Sequence, residues 1–273
     1  MLTRFIYPLT LRARISWRLQ KLFSNIDDKN ILLHFDKRLK MDLSKNDVGH
    51  QSIIFNGFYE LELTKTIVKL GIKGGILVDV GANYGYFSCL WATQNPINKV
   101  FAFEASPVNL QPLNNNVNKN NLSGAITIIP NAIGKEKGKL KFDLATENKQ
   151  TGWGGFSLKN NARAINVEVD TLDNYAEKNS IYKIDVLKID TEGADTWVLY
   201  GSKRLLQEKK IDHIFFEHNF ERMKLLNITD GEAKSFLERF DYIVEQHSPT
   251  DFYAYPKAKS SYHVSTKASE TIH

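Results

Sequence analysis

From residue 75 onward, the hydrophobic and polar positions of the chain alternate between two periods. Short apolar runs predict strands at 76–80, 99–103, 125–129, 185–189, 211–217, 241–246 and 251–255. Between these runs, apolar residues recur at the three- or four-residue spacing of one helix face, which predicts helices at 85–94, 107–119, 195–208 and 231–239. Such an alternation is typical of a mostly parallel sheet covered by helices on both faces.

Two parts of the chain depart from this alternation. The last two predicted strands are joined by residues 246–250, which leave no room for a helix, so this pair must be antiparallel. Between 134 and 182 the pattern predicts extra strands at 139–144 and 164–169, separated by the polar, glycine-rich segment 147–156. That segment is either a mobile loop over a functional site or a plain surface excursion.

The N-terminal segment predicts a basic helix. Pro8 can occupy the first turn of a helix that reaches about Ser24, and one stripe along this helix is apolar: Leu11, Ile15, Leu19 and Leu22. Basic residues flank the stripe, as they do in helices that lie on anionic membrane surfaces. The alternative, which we favour, is that the helix packs on its own domain or on a partner subunit.

Two further elements complete the organisation. Residues 31–35 and 38–43 alternate in polarity and predict a hairpin, and residues 58–70 predict a helix that Gly71 ends. We therefore divide the chain into three parts: an N-terminal extension of helix and hairpin (1–55), a main α/β domain (56–256) and a disordered tail (257–273).

Composition narrows the class of protein. With 42% hydrophobic and 25% charged residues, the 273-residue chain is ordinary for a globular protein. No apolar run approaches the roughly 18 residues that cross a bilayer. The single cysteine, Cys89, excludes an internal disulfide and a multi-cysteine zinc site, and it fits a reducing, cytoplasmic location. The histidines show no metal-binding spacing, so we predict no metal site.

The net charge of +5 is unevenly placed along the chain. The first 26 residues hold five basic residues and no acidic one, and the tail adds a small excess of lysine. The remaining body is slightly acidic, whereas a protein that binds a phosphate backbone needs a basic face. We therefore predict no nucleic-acid partner, and we leave a peripheral membrane contact open for residues 1–24.

The strongest chemical signal is a glycine turn between two predicted strands. An apolar strand ends at Val80 and runs into Gly81-Ala-Asn-Tyr-Gly85, a helix follows, and the next strand ends on Glu104. Glycines let a ligand approach the backbone, and the start of the helix offers free N–H groups. A carboxylate at the tip of the second strand can accept the hydroxyls of a ribose. The stretch therefore predicts a nucleotide-like ligand.

The details of the turn favour one ligand over another. A dinucleotide-binding turn has the pattern G-x-G-x-x-G, whereas this turn has Gly81 and Gly85 only. Asp79, just before the turn, would repel a pyrophosphate but suits the positively charged amino-acid end of S-adenosylmethionine. The turn therefore favours S-adenosylmethionine over NAD.

Ligands of open α/β sheets bind outside the carboxyl ends of the strands. The predicted cofactor-binding residues therefore lie at or just after strand ends, apart from Tyr59 and Glu60, which are equally well explained as an ordinary start of helix 58–70. They are Tyr59, Glu60, Asp79, Gly81, Ala82, Asn83, Tyr84, Gly85, Glu104, Ala105, Ser106, Asn131, Ala132 and Asp190. The glycine turn should line the methionine and the ribose, Glu104 should hold the ribose hydroxyls, and the residues after the second and third strands should border the adenine.

Candidates for catalysis follow the later strands: Asp190, Glu192, Glu217 and His218. Methyl transfer to an alcohol is helped when a nearby carboxylate or histidine takes up the hydroxyl proton. Asp190 and Glu192 could also attract a sulfonium, or they could simply cap the helix that follows Gly193. These readings are compatible with one another.

Six motifs in a fixed order resemble one family. They are DVGANYGYFS (79–88), FEASP (103–107), NAIG (131–134), VDTLDNY (169–175), LKIDTEGAD (187–195) and HIFFEHN (213–219). Together they resemble the FkbM family of S-adenosylmethionine-dependent methyltransferases over roughly residues 55 to 255. The glycine turn alone is shared by very many methyltransferases, whereas the KIDTEGA segment with the TLD segment before it is much more specific.

The resemblance implies a class I methyltransferase (Rossmann-like) fold, with a seven-stranded sheet of order 3-2-1-4-5-7-6 whose last strand is antiparallel. It implies O-methylation of a hydroxyl on a small-molecule or glycan acceptor, such as a saccharide, a glycolipid or a related natural product. Two alternatives remain: a cofactor-binding module without catalysis that is tethered through the basic N-terminus, and a methyltransferase that acts on nucleic acid or protein. The resemblance says little about the first 50 residues.

Overall fold

The structure is a computed structural model and describes residues 2–20, 27–144, 151–158 and 164–258. Within these ranges the helices are α1 (Leu9–Gln20), α2 (Val48–Asn56), α3 (Leu61–Gly71), α4 (Tyr86–Gln94), α5 (Pro107–Lys119), α6 (Leu172–Lys178), α7 (Asp195–Tyr200), α8 (Lys203–Gln207), α9 (Phe220–Leu225) and α10 (Glu232–Glu238). Short 3-10 turns cover Leu2–Phe5 and Thr151–Trp153.

The strands form three sheets in the described part of the chain. They are β1 (Ile31–Leu32), β2 (Lys40–Met41), β3 (Ile76–Val80), β4 (Lys99–Phe103), β5 (Ile126–Ile129), β6 (Ala132–Ile133), β7 (Gly138–Asp143), β8 (Gly155–Phe156), β9 (Ile165–Asp170), β10 (Ile184–Ile189), β11 (Ile211–Glu217), β12 (Tyr242–Gln246) and β13 (Asp251–Pro256).

The central sheet has seven strands in the order β5-β4-β3-β10-β11-β13-β12. Counted along the chain within this sheet, that order is 3-2-1-4-5-7-6, so the predicted topology is confirmed. β3, β4, β5, β10 and β11 are parallel to one another, whereas β13 is antiparallel to both of its neighbours. The carboxyl ends of β3, β4, β10 and β11 consequently meet at one edge of the sheet.

Apolar residues cover both faces of this sheet. One core contains residues of the N-terminal hairpin, α2, α3, α4 and α5, and the other contains residues of α6, α7, α8 and α10. Because side chains alternate along a strand, Leu77 and Val186 point into the first core while Val78 and Leu187 point into the second. This alternation places Asp79 and Lys188 on the first face, beneath the glycine turn.

A second, four-stranded sheet of order β6-β9-β7-β8 forms where the strand-helix alternation breaks. The extra strands predicted at 139–144 and 164–169 correspond to β7 and β9, which pair antiparallel from Gly138↔Val169 to Phe142↔Ile165. Of the predicted loop 147–156, residues 147–150 lie outside the described part. The remainder forms the 3-10 turn and β8, which pairs with the end of β7.

The N-terminal extension packs on the main domain. The predicted hairpin is confirmed as β1 and β2, and its residues share a core with the central sheet. α1 turns a polar face inward: Arg12 and Ser16 are fully buried, whereas Leu11 of the predicted apolar stripe is 42% exposed. The guanidinium of Arg12 donates to the carbonyl oxygens of Arg4, Ile6 and Asn56, which is why this face can be buried.

Some predictions lie outside the described residues. These are the end of α1 near Ser24, since residues 21–26 are not described, and most of the tail, which is described only to residue 258. The division of the chain at residues 55 and 256 stays a prediction.

The predicted helix over 195–208 is wrong as a single element, because it is two helices, α7 and α8. The backbone turns at Gly201, whose oxygen accepts the N–H of Asp173 at 2.9 Å. A Cβ on Gly201 would lie 2.1 Å from the oxygen of Gly134, so another loop contacts the chain here. That contact separates the two helices. Helices α2, α6 and α9 have no counterpart in the sequence prediction.

Candidate active site

A cavity of about 640 Å³ opens where the carboxyl ends of β3, β10 and β11 meet. Its walls come from the glycine turn, from the turns after β10 and β11, and from residues 41–63 of the N-terminal region. A narrower cavity of about 60 Å³ continues past the ends of β3 and β4 toward β6. The two cavities share Gly81, Asn83, Gly152 and Asp190, so they form one continuous groove.

The glycine turn is fixed by backbone contacts. Gly81 has φ +82°, and a Cβ there would lie 1.9 Å from the carbonyl oxygen of Asp190. The turn after β3 and the turn after β10 are thus in direct backbone contact, which only glycine permits. Gly85, with φ +85°, begins α4, and Asn83 also has a left-handed backbone at φ 51°.

Glu104 lies at the end of β4 with its carboxylate held by the backbone. One oxygen accepts the N–H of Asn83 at 2.7 Å, and the other accepts the N–H of Ser106 at 2.8 Å. Burial raises the pKa of Glu104 to about 7, against the lowering effect of these hydrogen bonds. The side chain of Asn109 also hydrogen-bonds this carboxylate. Of its roughly four lone-pair sites, one is left for a ligand hydroxyl, so the carboxylate is oriented for a ribose.

The narrower cavity contains the residues predicted to border an adenine. Its lining includes Ala105, Ser106, Asn131 and Ala132. Phe142 and Phe156 add aromatic walls, with ring centroids 6.2 Å apart and the planes nearly perpendicular. A flat base between apolar side chains is what such a slot accommodates.

A buried lysine, which the sequence prediction missed, lies between the two predicted acids. Lys188 Nζ is 3.6 Å from Asp79 Oδ1 and 3.2 Å from Asp190 Oδ2, and it donates to the oxygen of Gly81 at 3.4 Å. Burial alone would lower the pKa of Lys188, but the carboxylates of Asp190, Asp79 and Glu60 raise it above the ordinary value. Lys188 therefore stays charged.

Asp79 itself is 1% exposed and accepts a hydrogen bond from Ser88 at 2.6 Å. It is not among the residues that line either cavity, whereas Asp190 lines both. Asp79 thus contacts the site through Lys188, and Asp190 faces the ligand space.

The turn after β10 holds its acids by an unusual backbone. Glu192 has φ 54° and Gly193 has φ +93°. A Cβ on Gly193 would lie 2.5 Å from Arg222 Cβ, so glycine lets α9 approach the turn. Asn219, at the start of α9, donates to Glu192 Oε2 at 3.1 Å. Strained non-glycine residues of this kind cluster at functional sites.

Asp195 connects this turn to the next strand. Its Oδ1 accepts the N–H of Thr191 at 3.0 Å and the hydroxyl of Thr191 at 2.5 Å, and its Oδ2 accepts the N–H of Glu217 at 2.8 Å. Burial raises the pKa of Asp195 to about 6. One carboxylate thereby fixes the distance between Glu192 and Glu217.

Three carboxylates meet in the cavity. One oxygen from each of Asp190, Glu192 and Glu217 lies within 4.8 Å of the other two. Burial and the neighbouring Asp190 raise the pKa of Glu192 to about 8, and burial with the surrounding acids raises the pKa of Glu217 further. Such a cluster could hold a cation, but carboxylates often cluster without one, and the predicted absence of a metal site stays a prediction.

Of the remaining predicted site residues, Tyr59 and Glu60 lie in the main cavity and His218 does not. Tyr59 and Glu60 line the main cavity, and burial raises the pKa of Glu60 to about 8. His218 does not join the others: its Nε2 lies 3.2 Å from Asp230 Oδ1, and its ring stacks on Phe220. Glu217, the last residue of β11, lines the cavity, whereas His218, the first residue after the strand, does not.

The N-terminal region supplies a further residue that the sequence prediction missed. His50 of α2 accepts the N–H of Ser44 on Nδ1, so its Nε2 donates to Asn83 Oδ1 at 3.2 Å. Its ring lies 4.3 Å from that of Tyr84, centroid to centroid. α2 thus supports the glycine turn from outside the main domain. Asp47 and Gly57, the N-cap and C-cap of α2, are the sequence signals that could have revealed this helix.

The segment 151–156 lies over the shared part of the groove. Arg222 donates to the oxygen of Trp153 at 2.8 Å, and Gly152 is close to the Asn83 amide. Phe156 packs on Trp197, with ring centroids 5.8 Å apart. The described half of the predicted loop therefore covers the site.

Comparison with known proteins gives the family. The model of the methyltransferase FkbM domain matches residues 79–244, well over half of the chain. The chain belongs to the FkbM methyltransferase family. The match runs from β3 into β12 and includes the glycine turn, Glu104 and both acidic turns, so the resemblance of the motifs is confirmed.

Curated relatives of this FkbM methyltransferase are distant. The hexuronic acid methyltransferase AglP of Haloferax volcanii is 25% identical over 148 residues, which are 54% of this chain and 58% of that protein. The methyltransferase sdnD of Sordaria araneosa is 30% identical over 156 residues, which are 46% of this chain and 59% of that protein. The chain thus spans less than two thirds of the length of either relative.

Among solved structures, the methyltransferase FkbM from Methylobacillus flagellatus KT has a TM-score of 0.46 and 19% identity, over 67% of this chain and 44% of that one. The fold assignment rests on the strand order itself. In the described part of this FkbM methyltransferase, no helix is both long and apolar enough to cross a bilayer.

The family implies an S-adenosylmethionine-type cofactor, and the residues present fit one. Gly81 lines both cavities, and Glu104 is buried with both oxygens oriented by backbone N–H groups. Asp190 adds a carboxylate that lines both cavities. No residue of this set obstructs the groove.

Proposed function

We propose that this protein transfers the methyl group of S-adenosylmethionine to a hydroxyl of a saccharide, a glycolipid or a related natural product, with Glu217 as the general base. The observation that carries the proposal is the position of Glu217: its carboxylate lines the cavity beside the proposed cofactor groove and has a raised pKa. A carboxylate of raised pKa is, once deprotonated, a stronger base toward an alcohol than an ordinary one, so the rate should rise with pH as Glu217 loses its proton.

The proposed cofactor supplies a methyl group on a positively charged sulfur, and the acceptor oxygen gains that methyl group as its proton leaves. Glu217 would take this proton. Glu192, which Asn219 orients, would hold the reacting hydroxyl or its neighbour. Glu104 would hold the ribose and Asp190 would face the sulfur, so the chain acts mainly by positioning the two reactants.

The saccharide acceptor is supported by the chemistry of the cavity wall. Carboxylates and the amide of Asn219 accept hydrogen bonds from hydroxyl groups, and they line the cavity on several sides. The name of the relative from Haloferax volcanii also points to a sugar derivative as the acceptor of that protein.

Labelled methyl transfer from S-adenosylmethionine to a panel of glycans and glycolipids tests the proposal. We expect at least one labelled product. Glu217→Gln should lower kcat by about 100-fold or more, the usual contribution of a general base, and leave the affinity for S-adenosylhomocysteine unchanged. Glu177→Gln, in helix α6 and outside the cavity, is the control. An unchanged rate in Glu217→Gln would remove the proposed base.

The same experiments separate the alternatives. Calorimetry that shows S-adenosylhomocysteine binding without transfer to any acceptor would favour a cofactor-binding module. Labelled nucleic acid or protein in a crude extract would favour a macromolecular acceptor, and tighter binding of NADH would favour an oxidoreductase.

A peripheral membrane contact through the N-terminus is a second, separate proposal. Phe5 is 83% exposed, Tyr7 66% and Leu11 42%, so three large apolar side chains face outward from the α1 region. Arg4 and Arg12 are bound to carbonyl oxygens of the protein and do not add to the outer surface. The contact would therefore rest on apolar and aromatic side chains more than on charge.

A further inference from the structure

Acidic side chains outnumber basic ones in the lining of the main cavity. Its lining carries seven carboxylates, at Asp47, Glu60, Asp190, Glu192, Glu217, Glu221 and Asp251. The lysine and arginine side chains in the lining are those of Lys188 and Arg222. Burial and mutual repulsion raise the pKa of Glu60, Glu192 and Glu217, so the wall reaches its full negative charge only above about pH 9, and below that pH the other four carboxylates still outnumber the two cations. A bound S-adenosylmethionine would add one net positive charge, which does not cancel this excess.

Both cations already have partners. Lys188 contacts Asp79, Asp190 and the oxygen of Gly81. Arg222 donates to the oxygen of Trp153, and its charge acts on Glu192. Lys188 and Arg222 are therefore already paired, so an acceptor carboxylate or phosphate would find no unpaired lysine or arginine in the lining.

The carboxylates of the cavity also repel one another. Next to burial, Asp190 is the largest influence that raises the pKa of Glu60, of Glu192 and of Glu217. A further anion would add to this repulsion, whereas an ammonium group would relieve it. Hydroxyl groups are neutral and can donate to the carboxylates in either case.

We propose that the sugar entering this cavity carries no anionic group, so that the enzyme prefers amino sugars and neutral sugars over uronic acids and sugar phosphates. The inference rests on the proposed function and narrows its acceptor class. It separates this chain from the relative whose name specifies a hexuronic acid. The basis is the charge of the cavity wall, which is built partly by residues 47–60, before the family match begins.

Three matched acceptors test the order of preference: the methyl glycosides of a hexose, of the corresponding 2-amino sugar and of the corresponding hexuronic acid. The rate of labelled methyl transfer is measured for each. We expect kcat/KM for the hexose and the amino sugar to exceed that for the uronic acid by about 100-fold or more, since opposed like charges cost several kcal/mol. Equal or faster transfer to the uronic acid would overturn the proposal.

Simple charged probes distinguish a failure of this inference from a failure of the proposed function. Ethylammonium and acetate are titrated into the protein saturated with S-adenosylhomocysteine, and binding is followed by the chemical shifts of cavity residues. Ethylammonium should bind more tightly than acetate. Tighter binding of acetate than of ethylammonium, or equal binding of the two, would overturn the inference from the charge of the cavity wall. A preference for ethylammonium without methylation of any sugar would overturn the proposed function alone.

A pair of glutamates in one region of the chain provides matched variants. Glu60 lines the cavity, whereas Glu62 of α3 does not and forms an ion pair with Lys65 at 3.0 Å. At about pH 9, where Glu60 with its pKa of about 8 is mostly charged, Glu60→Gln should narrow the preference for the hexose over the uronic acid by about 10-fold, because one opposed charge is removed. Glu62→Gln should leave the ratio unchanged. Equal ratios in the two variants would show that the wall charge does not select the acceptor.

Discussion

Replacing Asp195 by asparagine should lower catalysis much more than it lowers the stability of the fold, because Asp195 positions the proposed base Glu217. Asp195 does not line the cavity, yet it receives three hydrogen bonds that join Thr191 to Glu217. Asparagine has the same shape but a single oxygen, so at least one of the backbone N–H groups of Thr191 and Glu217 loses its acceptor. The variant therefore loosens Glu217 without opening a cavity.

The expected change in stability is small because two effects oppose each other. Loss of one hydrogen bond to a buried carboxylate costs about 1.5–3 kcal/mol. The pKa of Asp195 is raised from 3.8 to about 6. At about 1.4 kcal/mol per unit, burial of the charged form costs roughly 3 kcal/mol above that pH, and asparagine removes this cost. The free energy of unfolding at pH 7.5 should therefore change by no more than about 1.5 kcal/mol.

Catalysis should change more than stability. A shift of about 1 Å in a catalytic group can lower a rate by roughly 100-fold, so we expect kcat to fall by about 10- to 100-fold. The affinity for S-adenosylhomocysteine should stay within about threefold, because neither Glu104 nor the glycine turn contacts Asp195. Denaturant unfolding, steady-state kinetics and calorimetry measure these three quantities. Asp212→Asn, at the start of β11, is the control.

A double-mutant cycle decides whether Asp195 acts through Glu217. In the Glu217→Gln background, Asp195→Asn should cost almost nothing further, since the group that it positions is already inactive. Additive losses would refute this reasoning. The reasoning would also be refuted if the Asp195→Asn variant unfolded at a much lower denaturant concentration while its folded fraction kept the full kcat.

The remaining predictions concern the cofactor groove, pH and the N-terminus. Glu104→Gln should weaken S-adenosylhomocysteine binding by about 10- to 100-fold in calorimetry, because an amide NH₂ would face one of the two N–H groups that the carboxylate accepts; unchanged affinity would contradict the assigned role. Gly81→Ala should abolish binding, since its Cβ would lie 1.9 Å from a backbone oxygen. Gly138→Ala is the control: nothing lies within 4 Å of the added Cβ, so this variant should bind S-adenosylhomocysteine normally. The pKa of Glu104 is raised to about 7 and that of Glu60 to about 8, so the folded state holds more protons than the unfolded state. Without cofactor, the stabilisation that these two protonated carboxyls contribute should be complete below about pH 4.5 and should be lost as the pH rises through 7 to 8. Thermal melts measure this, and a melting temperature that rises between pH 4.5 and 8 would contradict the prediction. Removal of the exposed Phe5 and Tyr7 side chains should reduce sedimentation with anionic liposomes, and equal sedimentation would refute the membrane contact.

The sheet could be predicted because its signal is local. Each strand is a short apolar run, and the short connection before β13 forces the antiparallel final pair. Gly81 and Glu104 could be placed from the same stretch, since their positions relative to β3 and β4 are set by neighbours in the chain.

What the sequence did not show depends on contacts between distant segments. Lys188 lies in an otherwise apolar strand, and its burial is possible only because Asp79 and Asp190 approach it from either side. His218 and Glu217 are adjacent in the chain, and the sequence does not show that His218 contacts Asp230 while Glu217 lines the cavity. α2 lacks a helical stripe because its last turn is buried on all sides, and the N-cap Asp47 and the C-cap Gly57 were the remaining signals.

The contact between Gly81 and the oxygen of Asp190 limits how this enzyme can diversify. The turns that we propose to hold the cofactor and to face its reactive group touch through their backbones, so a substitution that reshapes one displaces the other. The walls formed by residues 41–63 and 151–156 lie outside this contact and can vary with less effect on the chemistry. New acceptors are therefore expected to arise by changes in those two walls, while the strand-end turns stay as they are.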